Sequence, residues 1–409
     1  MNILLGITGS IAAYKSLDLA RLMVKRGHKV RVILTQGALE FIKAETFKYL
    51  GVEEVYGPLD DFNPGEKTSH SNVLHIDLAK WADKIAVAPA SANTISKMAT
   101  GLTNDLLTSV FLATGNKPVL IFPAMNTQMW NNERIQEHAQ KLSKLPYVSL
   151  ISPVSGLLAC GDIGAGKFPE VEAVGALIET VNPLKKQSKK VLLTAGATAS
   201  PLDPVRYLTN PSTGKMGISV AKAFLAEGYE TTLLAGHQCS KEVENLLGHP
   251  LFKLIKTPTT ALMRDAAVRE FPLNDLYVST GAIADIEFEI SPEKLKKEKM
   301  GRSLPFIQAA DILKEILALR KNQKVVSFAA ETETTKEVFE EKMKRKPVDL
   351  MVGNKVSNGL IGSKEVQGFQ TDGGEYFFVE PERISSPQKL SKEELGFRLV
   401  KWFEGEKIW

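Results

Sequence analysis

Cysteine is almost absent from this chain of 409 residues, which contains only Cys160 and Cys239. The two cysteines lie far apart and form no metal-binding pattern, so we expect a reduced, cytoplasmic compartment. The chain also lacks a large excess of positive or negative charge, since its formal net charge is only +4. That charge is too small to indicate nucleic-acid binding, although lysines remain available for small molecules that carry phosphate.

Long hydrophobic runs are also missing, and no stretch approaches the length of a transmembrane helix. The chain starts with a short apolar run that no basic residue precedes, and Gly9, Ser10 and Lys15 interrupt it early. This start predicts a first β-strand rather than a signal peptide. Hydrophobic residues make up 44% of the chain and charged residues 24%, a composition typical of soluble proteins with two domains or three small ones.

Apolar runs alternate with helical periodicity along the chain. Strands are predicted at 3–8, 30–34, 85–88 and 119–122, and again at 191–194, 231–235, 276–280 and 325–329, with helices at 11–26 and 214–227. The polar, basic segment 182–190 separates the two series and predicts a linker. The alternation predicts an α/β fold of two Rossmann-like domains with parallel sheets, at 1–182 and 189–409, joined by a linker at 183–188.

Two strand-to-helix turns in the first domain are candidates for ligand binding, because parallel sheets bind ligands at the carboxyl ends of their strands. The first carries Gly9 and Ser10, whose backbone N–H groups and hydroxyl can hold a phosphate. It is not a full GxGxxG fingerprint, and a plain tight turn explains it equally well. The second carries Ser91 and Asn93, where either a bound ring or phosphate or an ordinary helix N-cap accounts for the small, hydroxylic residues.

Three further elements follow in order. His75 is predicted just ahead of a helix, the run PAMNTQMW occupies 123–130 after a strand, and a glycine-rich flap at 156–167 carries Cys160. Each alone has an ordinary explanation: a surface histidine, a strand-end loop, and a small buried cysteine in a loop. Their joint occurrence is much harder to explain in that way.

Together these elements resemble the flavin-dependent cysteine decarboxylases, specifically the phosphopantothenoylcysteine decarboxylases. That family has a histidine in an HxxL motif, a PxMNxxMW motif and a substrate clamp similar to ACGxxGxGR. All three are present, with Lys167 where the clamp often has arginine. Lysine keeps the positive charge but lacks the bidentate fork of arginine.

The resemblance implies a redox route to decarboxylation. FMN oxidises the cysteine thiol of the substrate to a thioaldehyde, the carboxylate leaves as carbon dioxide, and reduced FMN returns the electrons. His75 is implied as base or orienting group in the oxidation, Asn126 as a hydrogen-bond partner of the departing carboxylate, and Cys160 as proton donor to the enethiolate. The implied FMN-binding residues are Gly9, Ser10, Thr35, Ser91, Asn93 and Met125.

The second domain contains the longest motif of the chain. The run LDPVRYLTNPSTGKMG at 202–217 leads from an extended loop into a helix and includes Arg206, Asn210 and Lys215. Its segment 212–214 lies where a helix N-terminus can hold an anion. A capped helix after a proline loop is the ordinary alternative.

Four further candidates follow this run. Asp285 ends the segment GAIAD, where it can hydrogen-bond to a ribose or a base. The run KLKK at 294–297 lies in the loop beyond, although a solvated lysine face explains such a run as well. The remaining candidates are a helix start at Asp311, a strand end that contains Phe328 in FAAET, and Lys342 and Lys346, one helical turn apart and facing one way.

This set resembles the bacterial, CTP-using phosphopantothenate–cysteine ligases. The run DPVRYLTNPSTGKMG matches the family's DPVRxIxNxSSGKMG, and GAIAD, KLKK and FAAET match its AAVAD, KxKK and FAAET. The departures are the loop 195–200, which lacks the charged residue of the family's GGTxE-like loop, and Thr213 in place of serine.

The second resemblance implies activation of a carboxylate. The carboxylate of phosphopantothenate attacks the α-phosphate of CTP to give an acyl-cytidylate and pyrophosphate, and the amine of cysteine attacks this mixed anhydride. Asn210 is implied to stabilise the acyl-cytidylate, Lys294 to neutralise the triphosphate, and Mg²⁺ to bridge the phosphates. Cys239 matches no motif and is expected to be structural. The implied CTP-binding residues are Asp285, Lys294, Asp311, Phe328, Lys342 and Lys346.

The two resemblances predict a bifunctional cytoplasmic enzyme for two consecutive steps of coenzyme A biosynthesis. Its substrates are 4′-phosphopantothenate, L-cysteine and CTP, its cofactors are FMN and Mg²⁺, and its product is 4′-phosphopantetheine. No nucleic-acid or membrane partner is expected. Homo-oligomers are implied, with trimers through the flavin domain and dimers through the ligase domain.

Two other functions stay open. A nicotinamide-dependent enzyme needs a complete GxGxxG and an acidic residue about 20 positions further on, and the first loop lacks that glycine set. A non-catalytic binding protein on the same scaffold would be favoured by loss of His75, Asn126 or Cys160, and all three are present.

Overall fold

A computed structural model of the chain describes residues 1–62, 73–159, 161–296, 304–356 and 372–408. The chain divides into two compact units, Met1–Lys185 with Gly248–Pro250, and Lys186–Leu247 with Leu251–Trp409. In the described part of the chain, no helix combines the length and the apolar character needed to cross a membrane.

The first unit is built on a six-stranded sheet with the order β3-β2-β1-β4-β5-β6, in which every pair of neighbours is parallel. A separate antiparallel hairpin, β7–β8, follows the sheet. The strands are β1 Asn2–Ile7, β2 Lys29–Leu34, β3 Glu54–Tyr56, β4 Lys84–Ala90, β5 Val119–Pro123, β6 Val148–Leu150, β7 Val154–Leu157 and β8 Ile163–Lys167.

Helices cover both faces of this sheet, as continuous apolar strands require. Along β1, Ile3 and Leu5 belong to one buried cluster and Leu4 to another, because successive side chains of a strand point to opposite faces. The helices of this unit are α1 Lys15–Lys25, α2 Gln36–Leu39, α3 Ala44–Lys48, α4 Leu74–Trp81, α5 Ala92–Thr100, α6 Leu106–Ala113, α7 Thr127–Asn131, α8 Glu133–Ser143 and α9 Val171–Thr180.

The second unit has a nine-stranded sheet with the order β13-β12-β9-β14-β17-β18-β19-β20, and β21 also pairs with β19. It is parallel from β13 to β18, and its last strands are antiparallel. Two small antiparallel ribbons, β10–β11 and β15–β16, lie outside it. The strands are β9 Lys190–Ala195, β10 Ala199–Pro201, β11 Tyr207–Thr209, β12 Glu230–Ala235, β13 Phe252–Lys256, β14 Leu276–Ser279, β15 Ile286–Glu287, β16 Ile307–Gln308, β17 Lys324–Glu331, β18 Leu350–Lys355, β19 Gly373–Glu380, β20 Arg383–Ile384 and β21 Gln388–Ser391.

Helices again flank the sheet of the second unit. The aromatic side chains of Phe224, Tyr229 and Phe403 pack together on one side, with ring centroids 5.3 to 6.1 Å apart. The helices are α10 Lys215–Ala226, α11 Thr260–Glu270, α12 Ile312–Leu319, α13 Lys336–Arg345 and α14 Lys392–Phe403. The predicted α/β class with two Rossmann-like domains is therefore confirmed, and the sheet of the second domain is mixed rather than purely parallel.

The parallel parts of the two sheets share one topology. When only the strands of the main sheet are numbered along the chain, the parallel order in each unit is 3-2-1-4-5-6, with the reversal between β1 and β4 in the first unit and between β9 and β14 in the second. At such a reversal the two connections leave in opposite directions, which opens a crevice at the carboxyl ends of the strands. The fold therefore provides one ligand-binding crevice in each unit.

Two local predictions, those for His75 and Lys346, need correction. His75 lies inside the first turn of α4 rather than ahead of the helix. The predicted glycine-rich flap at 156–167 contains the antiparallel pairing of β7 with β8, so its ordinary alternative, a plain loop, is wrong. Lys346 lies just after α13, although its backbone N–H still bonds to the carbonyl of Lys342 at 2.9 Å.

Candidate active sites

The crevice of the first unit is held open by hydrogen bonds between strand ends. The buried hydroxyl of Thr8 donates to the carbonyl of Pro89 at 2.8 Å and accepts from the backbone N–H of Ser91 at 2.7 Å. The hydroxyl of Ser10 donates to the carbonyl of Ala124 at 3.0 Å. The loops that follow β1, β4 and β5 are thereby fixed to one another.

All six predicted FMN-binding residues lie around two cavities at this crevice. One cavity of about 440 Å³ is lined by residues that include Gly9, Thr35, Ser91 and Asn93. The other, of about 420 Å³, is lined by residues that include Gly9, Ser10, Ser91, Met125 and Asn126. The sequence-predicted set is therefore brought together, and Gly9 and Ser91 are shared by both cavities.

The residues present fit a cofactor with a phosphate and a flat ring. A Cβ atom on Gly9 would lie 3.0 Å from the Cα of Gly37, so the two loops approach each other backbone to backbone. Ser91 is the N-cap of α5 and accepts from the backbone N–H of Thr94 at 3.4 Å, as one of the two interpretations of this segment predicted. The same helix start and its hydroxyls are suited to an anion, and Met125 and Met129 add apolar surface for a ring.

The β7–β8 hairpin, called here the flap, lies on the segment 125–127. The backbone N–H of Met125 donates to the carbonyl of Gly166 at 3.0 Å. A Cβ atom on Gly166, whose φ is 144°, would lie 2.3 Å from the Met125 carbonyl oxygen, and one on Gly164 would lie 2.5 Å from Thr127 Oγ1. Glycine is required at these positions because the flap contacts the site through its backbone.

Asn126 links this segment to the turn of the flap. Its Oδ1 accepts from the backbone N–H of Gln128 at 2.8 Å, which caps α7, and its Nδ2 donates to Asp162 Oδ2 at 3.3 Å. Cys160, the predicted proton donor, lies outside the described residues. Asn126 therefore lines the 420 Å³ cavity and bonds to the flap at the same time.

Two lysines line the cavity beneath the flap. Lys167 lies 3.4 Å and Lys15 3.2 Å from the carboxylate of Glu170, and both line the 420 Å³ cavity. The hydrogen bond from Lys15 lowers the pKa of Glu170, which keeps the carboxylate ionised between the two ammonium groups. Sequence reasoning assigned no site role to Lys15, because the clamp motif contains only Lys167.

His75 is not brought together with the other predicted decarboxylase residues. Among the described residues that line the two cavities, His75 is not found. Its Nδ1 lies 2.8 Å from each carboxylate oxygen of Asp61, and its backbone N–H donates to Asp61 Oδ1 at 3.1 Å. Sequence reasoning missed Asp61, because nothing in the motif points to an acid 14 residues earlier.

Similar hydrogen bonds between strand ends hold the crevice of the second unit. Thr280 Oγ1 donates to the carbonyl of Thr194 at 2.5 Å, and Thr194 Oγ1 accepts from the backbone N–H of Gly281 at 3.1 Å. The side-chain amide of Asn210 donates to the carbonyl of Ala282 at 3.4 Å. Asn210 is thus brought to the GAIAD segment at the reversal of strand order.

The start of α10 has the character of an anion site. Its N-cap, Gly214, has a φ of 74°, and a Cβ there would meet Cys239 Sγ and the backbone of Gly196 at 2.9 Å. Thr213 Oγ1 is buried and has no hydrogen-bond partner among the described residues. Burial raises the pKa of the Cys239 thiol to about 11, so Cys239 stays protonated at neutral pH and serves as packing for these loops.

A buried carboxylate ties the DPVR segment to the lysine loop. Asp203 accepts from the backbone N–H of Leu295 at 3.1 Å and from Arg206 Nε at 3.0 Å, and Arg206 donates to the Leu295 carbonyl at 2.8 Å. The hydrogen bond from Arg206 holds the pKa of Asp203 well below its usual range. The two residues therefore fix the position of Leu295, directly after Lys294.

Three of the other predicted CTP-binding residues, Asp311, Lys342 and Lys346, belong to acid–lysine pairs. Lys346 Nζ lies 2.8 Å from Asp311, the N-cap of α12, and Lys342 pairs with Glu331. The carbonyl of Asp285 accepts from the backbone N–H of Ala309 at 3.0 Å, two residues before Asp311. Phe328 lies on β17, three residues before Glu331. Glu331 belongs to the FAAET motif, but the sequence did not predict it as a CTP-binding residue.

Comparison with known proteins gives a family for the whole chain. Residues 1–182 match the family model described as Flavoprotein, and residues 186–405 match the one described as DNA/pantothenate metabolism flavoprotein C-terminal domain. The coenzyme A biosynthesis bifunctional protein CoaBC of Vibrio vulnificus (strain YJ016) is 36% identical over 405 residues, which are 98% of this chain and 96% of that protein. The chain belongs to the family of coenzyme A biosynthesis bifunctional proteins.

A second curated relative agrees with this membership. CoaBC of Bacillus subtilis (strain 168) is 35% identical over 406 residues, 98% of this chain and 95% of that protein. Among solved structures, a mutant PPC decarboxylase complexed with pantothenoylaminoethenethiol is 34% identical over 43% of this chain and 95% of its own, with a TM-score of 0.39. The recognition made from sequence and the bifunctional enzyme class are confirmed.

Gly166→Ala tests the backbone contact of the flap. The added Cβ clashes with the Met125 carbonyl, and the strain of such a backbone conformation is about 1–3 kcal/mol. We expect decarboxylation to fall roughly tenfold or more, with ligation by the same chain unchanged. Carbon dioxide and pyrophosphate release measure the two activities. Gly115→Ala is the matched control, since Gly115 also has a positive φ but no neighbour within 4 Å of its Cβ. Equal losses in both variants would contradict the contact.

Asp203→Asn tests the tie to the lysine loop. The amide still accepts a hydrogen bond but loses the ionic contact with Arg206, so the loop at Leu295 is held less firmly. We expect release of pyrophosphate from CTP and phosphopantothenate to slow by roughly tenfold, without loss of decarboxylation. Asp265→Asn is the control, because Asp265 pairs with Arg264 at 2.7 Å on the surface of the same unit. An unchanged rate for Asp203→Asn would show that the tie is dispensable.

Proposed function

We propose that the chain makes 4′-phosphopantetheine in two consecutive reactions. The second domain joins 4′-phosphopantothenate to L-cysteine with CTP, and the first domain decarboxylates the resulting phosphopantothenoylcysteine with FMN. The observation that carries the proposal is that a single chain has two crevices at strand-order reversals, the first lined by the predicted FMN-binding residues and Asn126, and the second with Asn210 bonded to the GAIAD segment. Full-length similarity to CoaBC proteins supports the same pair of reactions.

In the first crevice, FMN when bound supplies the oxidation of the substrate thiol and the later return of two electrons. His75 takes the thiol proton, and Asn126 holds the departing carboxylate through its amide. Cys160 gives a proton to the enethiolate that decarboxylation leaves. Lys15 and Lys167 line the cavity with two positive charges, which suits an anionic substrate. The flap above the cavity keeps water from the enethiolate.

The position of His75 bears on the oligomer. His75 must reach the substrate thiol, yet it is not among the described residues that line the cavities. An active site completed by a neighbouring copy is consistent with a trimer of the flavin domain. Leu59, Phe62 and Val73 expose 57%, 70% and 41% of their surface near His75 in sequence, which supports such a contact. In the ligase domain, Ile290, Phe306 and Ile307 are 60–62% exposed and support a dimer in the same way.

In the second crevice, Lys294 offsets the charge of the triphosphate while the carboxylate of phosphopantothenate attacks the α-phosphate. Asn210 then holds polar groups of the acyl-cytidylate until the amine of cysteine attacks it. In the part of the chain that the structure describes, no cluster of three or more His, Cys, Asp or Glu side chains is arranged to hold a metal ion. Mg²⁺ is therefore proposed to bind through the phosphates of CTP.

One assay tests the proposal as a whole. The purified chain is supplied with phosphopantothenate, cysteine, CTP and Mg²⁺, and pyrophosphate and carbon dioxide are followed separately. Both should appear, with a flavin absorbance spectrum that copurifies with the protein. Bound nicotinamide in place of flavin would support the dehydrogenase alternative, and bound flavin without either product would support a binding protein.

Cys160→Ala and His75→Asn should stop the decarboxylase at different points. Without the proton donor at 160, oxidation and loss of carbon dioxide proceed but the final reduction does not, so the flavin stays reduced under anaerobic conditions and an oxidised enethiol product is trapped. Without the base at 75, the flavin is not reduced at all. Flavin absorbance and mass spectrometry distinguish the two blocks. Normal multiple turnover by Cys160→Ala would exclude the proton-donor role.

Lys294→Gln and Asn210→Asp should stop the ligase at different points as well. The first slows pyrophosphate release even without cysteine, whereas the second puts a negative charge beside the acyl-cytidylate and lets it accumulate. Losing one such contact costs about 2.7–4 kcal/mol of barrier in comparable sites. Lys296→Gln is the control, because Lys296 is exposed in the same loop. If Lys294→Gln forms acyl-cytidylate as fast as Lys296→Gln, the KLKK run is a solvated lysine face.

A further inference from the structure

One acidic side chain holds His75 at two points. The carboxylate of Asp61 accepts from the backbone N–H of His75 at 3.1 Å and lies 2.8 Å from the ring Nδ1 through either oxygen. The side chain of Asp61 is only 11% exposed, and that of His75 is 28% exposed. Among the described residues, the Asp61 carboxylate alone thus fixes both the position and the rotation of the imidazole.

This contact determines which ring nitrogen carries the proton. An ionised carboxylate can only accept hydrogen bonds, so Nδ1 must be the donor and is protonated. In the neutral ring the other nitrogen, Nε2, then has the free lone pair. A carboxylate on Nδ1 also stabilises the imidazolium that forms when Nε2 takes up a proton. Asp61 therefore prepares Nε2, and not Nδ1, to act as a base.

The loop before α4 gives Asp61 its fixed position. Gly57 donates its backbone N–H to Asp60 Oδ2 at 3.0 Å, and the backbone N–H of Phe62 bonds to the carbonyl of Leu59 at 3.0 Å. Two overlapping turns, at 57–60 and 59–62, thus hold the segment that contains Asp61. Val73, which precedes α4, has no side chain that can cap the helix. Asp61 consequently also supplies an acceptor to the first turn of α4, where a negative charge is favourable.

We propose that Asp61 is a positioning residue for His75 in the decarboxylase reaction. It keeps Nδ1 protonated and the ring oriented, so that Nε2 receives the proton of the substrate thiol when the S–H bond breaks. The products of this step are a thiolate and an imidazolium, and the imidazolium is paired with the Asp61 carboxylate. The inference rests on the proposed function, because it needs His75 to be the base.

Asp61→Asn separates this role from simple helix capping. Asparagine still offers an oxygen to the backbone N–H of His75, so the cap is retained. Its amide can either accept from Nδ1 or donate to it, so the tautomer is no longer fixed. Asp61→Glu keeps a carboxylate and should recover part of the loss. Asp60→Asn is the matched control, since it removes the same charge one position earlier, where the carboxylate contacts Gly57 instead.

The experiment uses the full chain with its flavin bound and phosphopantothenoylcysteine as substrate. Stopped-flow absorbance under anaerobic conditions gives the rate of flavin reduction at saturating substrate and the substrate concentration at half-maximal rate. We expect Asp61→Asn to reduce the rate by about 10–100-fold, as loss of a residue that orients a functional histidine does. The half-saturating concentration, the flavin content and the melting temperature should match those of Asp60→Asn.

A second readout does not depend on turnover. In protein labelled with ¹⁵N-histidine, the ring nitrogens of His75, assigned by comparison with His75→Asn, should show an Nδ1–H tautomer in the parent chain and a mixture in Asp61→Asn. An unchanged tautomer together with an unchanged rate overturns the inference, and so do equal losses in the Asp61→Asn and Asp60→Asn variants. If His75→Asn itself reduces flavin normally, the proposed base is wrong and the inference falls with it. If only His75→Asn is impaired, the proposed function stands and the role of Asp61 does not.

Discussion

In both domains, a buried threonine at the end of the first strand holds the loop that follows the fourth strand. Thr8 bonds to the backbone on both sides of Ala90, and Thr194 bonds to Thr280 and Gly281. Both threonines are fully buried, so their polar atoms must be satisfied within the protein. The two loops would otherwise diverge at the reversal of strand order. These hydrogen bonds set the width of each crevice, and the strand-end residues of each site are placed relative to it.

The backbone contact of the flap depends in turn on hydrogen bonds that fix the loops of the first crevice. The hydrogen bond from Ser10 to the carbonyl of Ala124 fixes the loop after β5, and with it the backbone of the next residue, Met125. The flap contacts this backbone by main-chain hydrogen bonding, which leaves no room for a Cβ on Gly166. Because the flap contacts this loop through its backbone, its side chains remain available to line the cavity. Lys167 and Leu158 do so directly beside the glycine contact.

Sequence patterns predicted the α/β class and the parallel strands because buried strands are continuous apolar runs with turn residues at their ends. They also predicted that Gly9, Ser10, Ser91 and Asn93 lie at the first crevice, since strand ends of a parallel sheet converge on one edge. Sequence patterns failed where the structure depends on a contact between residues far apart in the chain, because such a contact produces no periodicity in the sequence. The antiparallel strands β19–β21, the pairing of Asp61 with His75 and the tie from Asp203 to Leu295 are such contacts. His75 was placed outside its helix because its cap comes from an acid 14 residues away rather than from a neighbour.

A recurring arrangement connects these remote contacts. Several basic groups of the two sites already have acidic partners: His75 is paired with Asp61, Lys167 with Glu170, Lys342 with Glu331 and Lys346 with Asp311. A carboxylate restricts the rotamers of a long cationic side chain, so less conformational entropy is lost when the substrate arrives.

The pairs differ, however, in whether the carboxylate remains bonded to the cationic group during the reaction. In the proposed mechanism, the Asp61 carboxylate stays in place during proton transfer, because it stabilises the charged ring. If Lys342 and Lys346 bind the phosphates of a nucleotide as proposed, those oxygens compete with the carboxylates of Glu331 and Asp311 for the same ammonium groups, so binding exchanges one anion for another. The two lysine side chains are 42% and 41% exposed, so their ammonium groups keep part of their hydration in the paired state and little further desolvation is needed for the exchange.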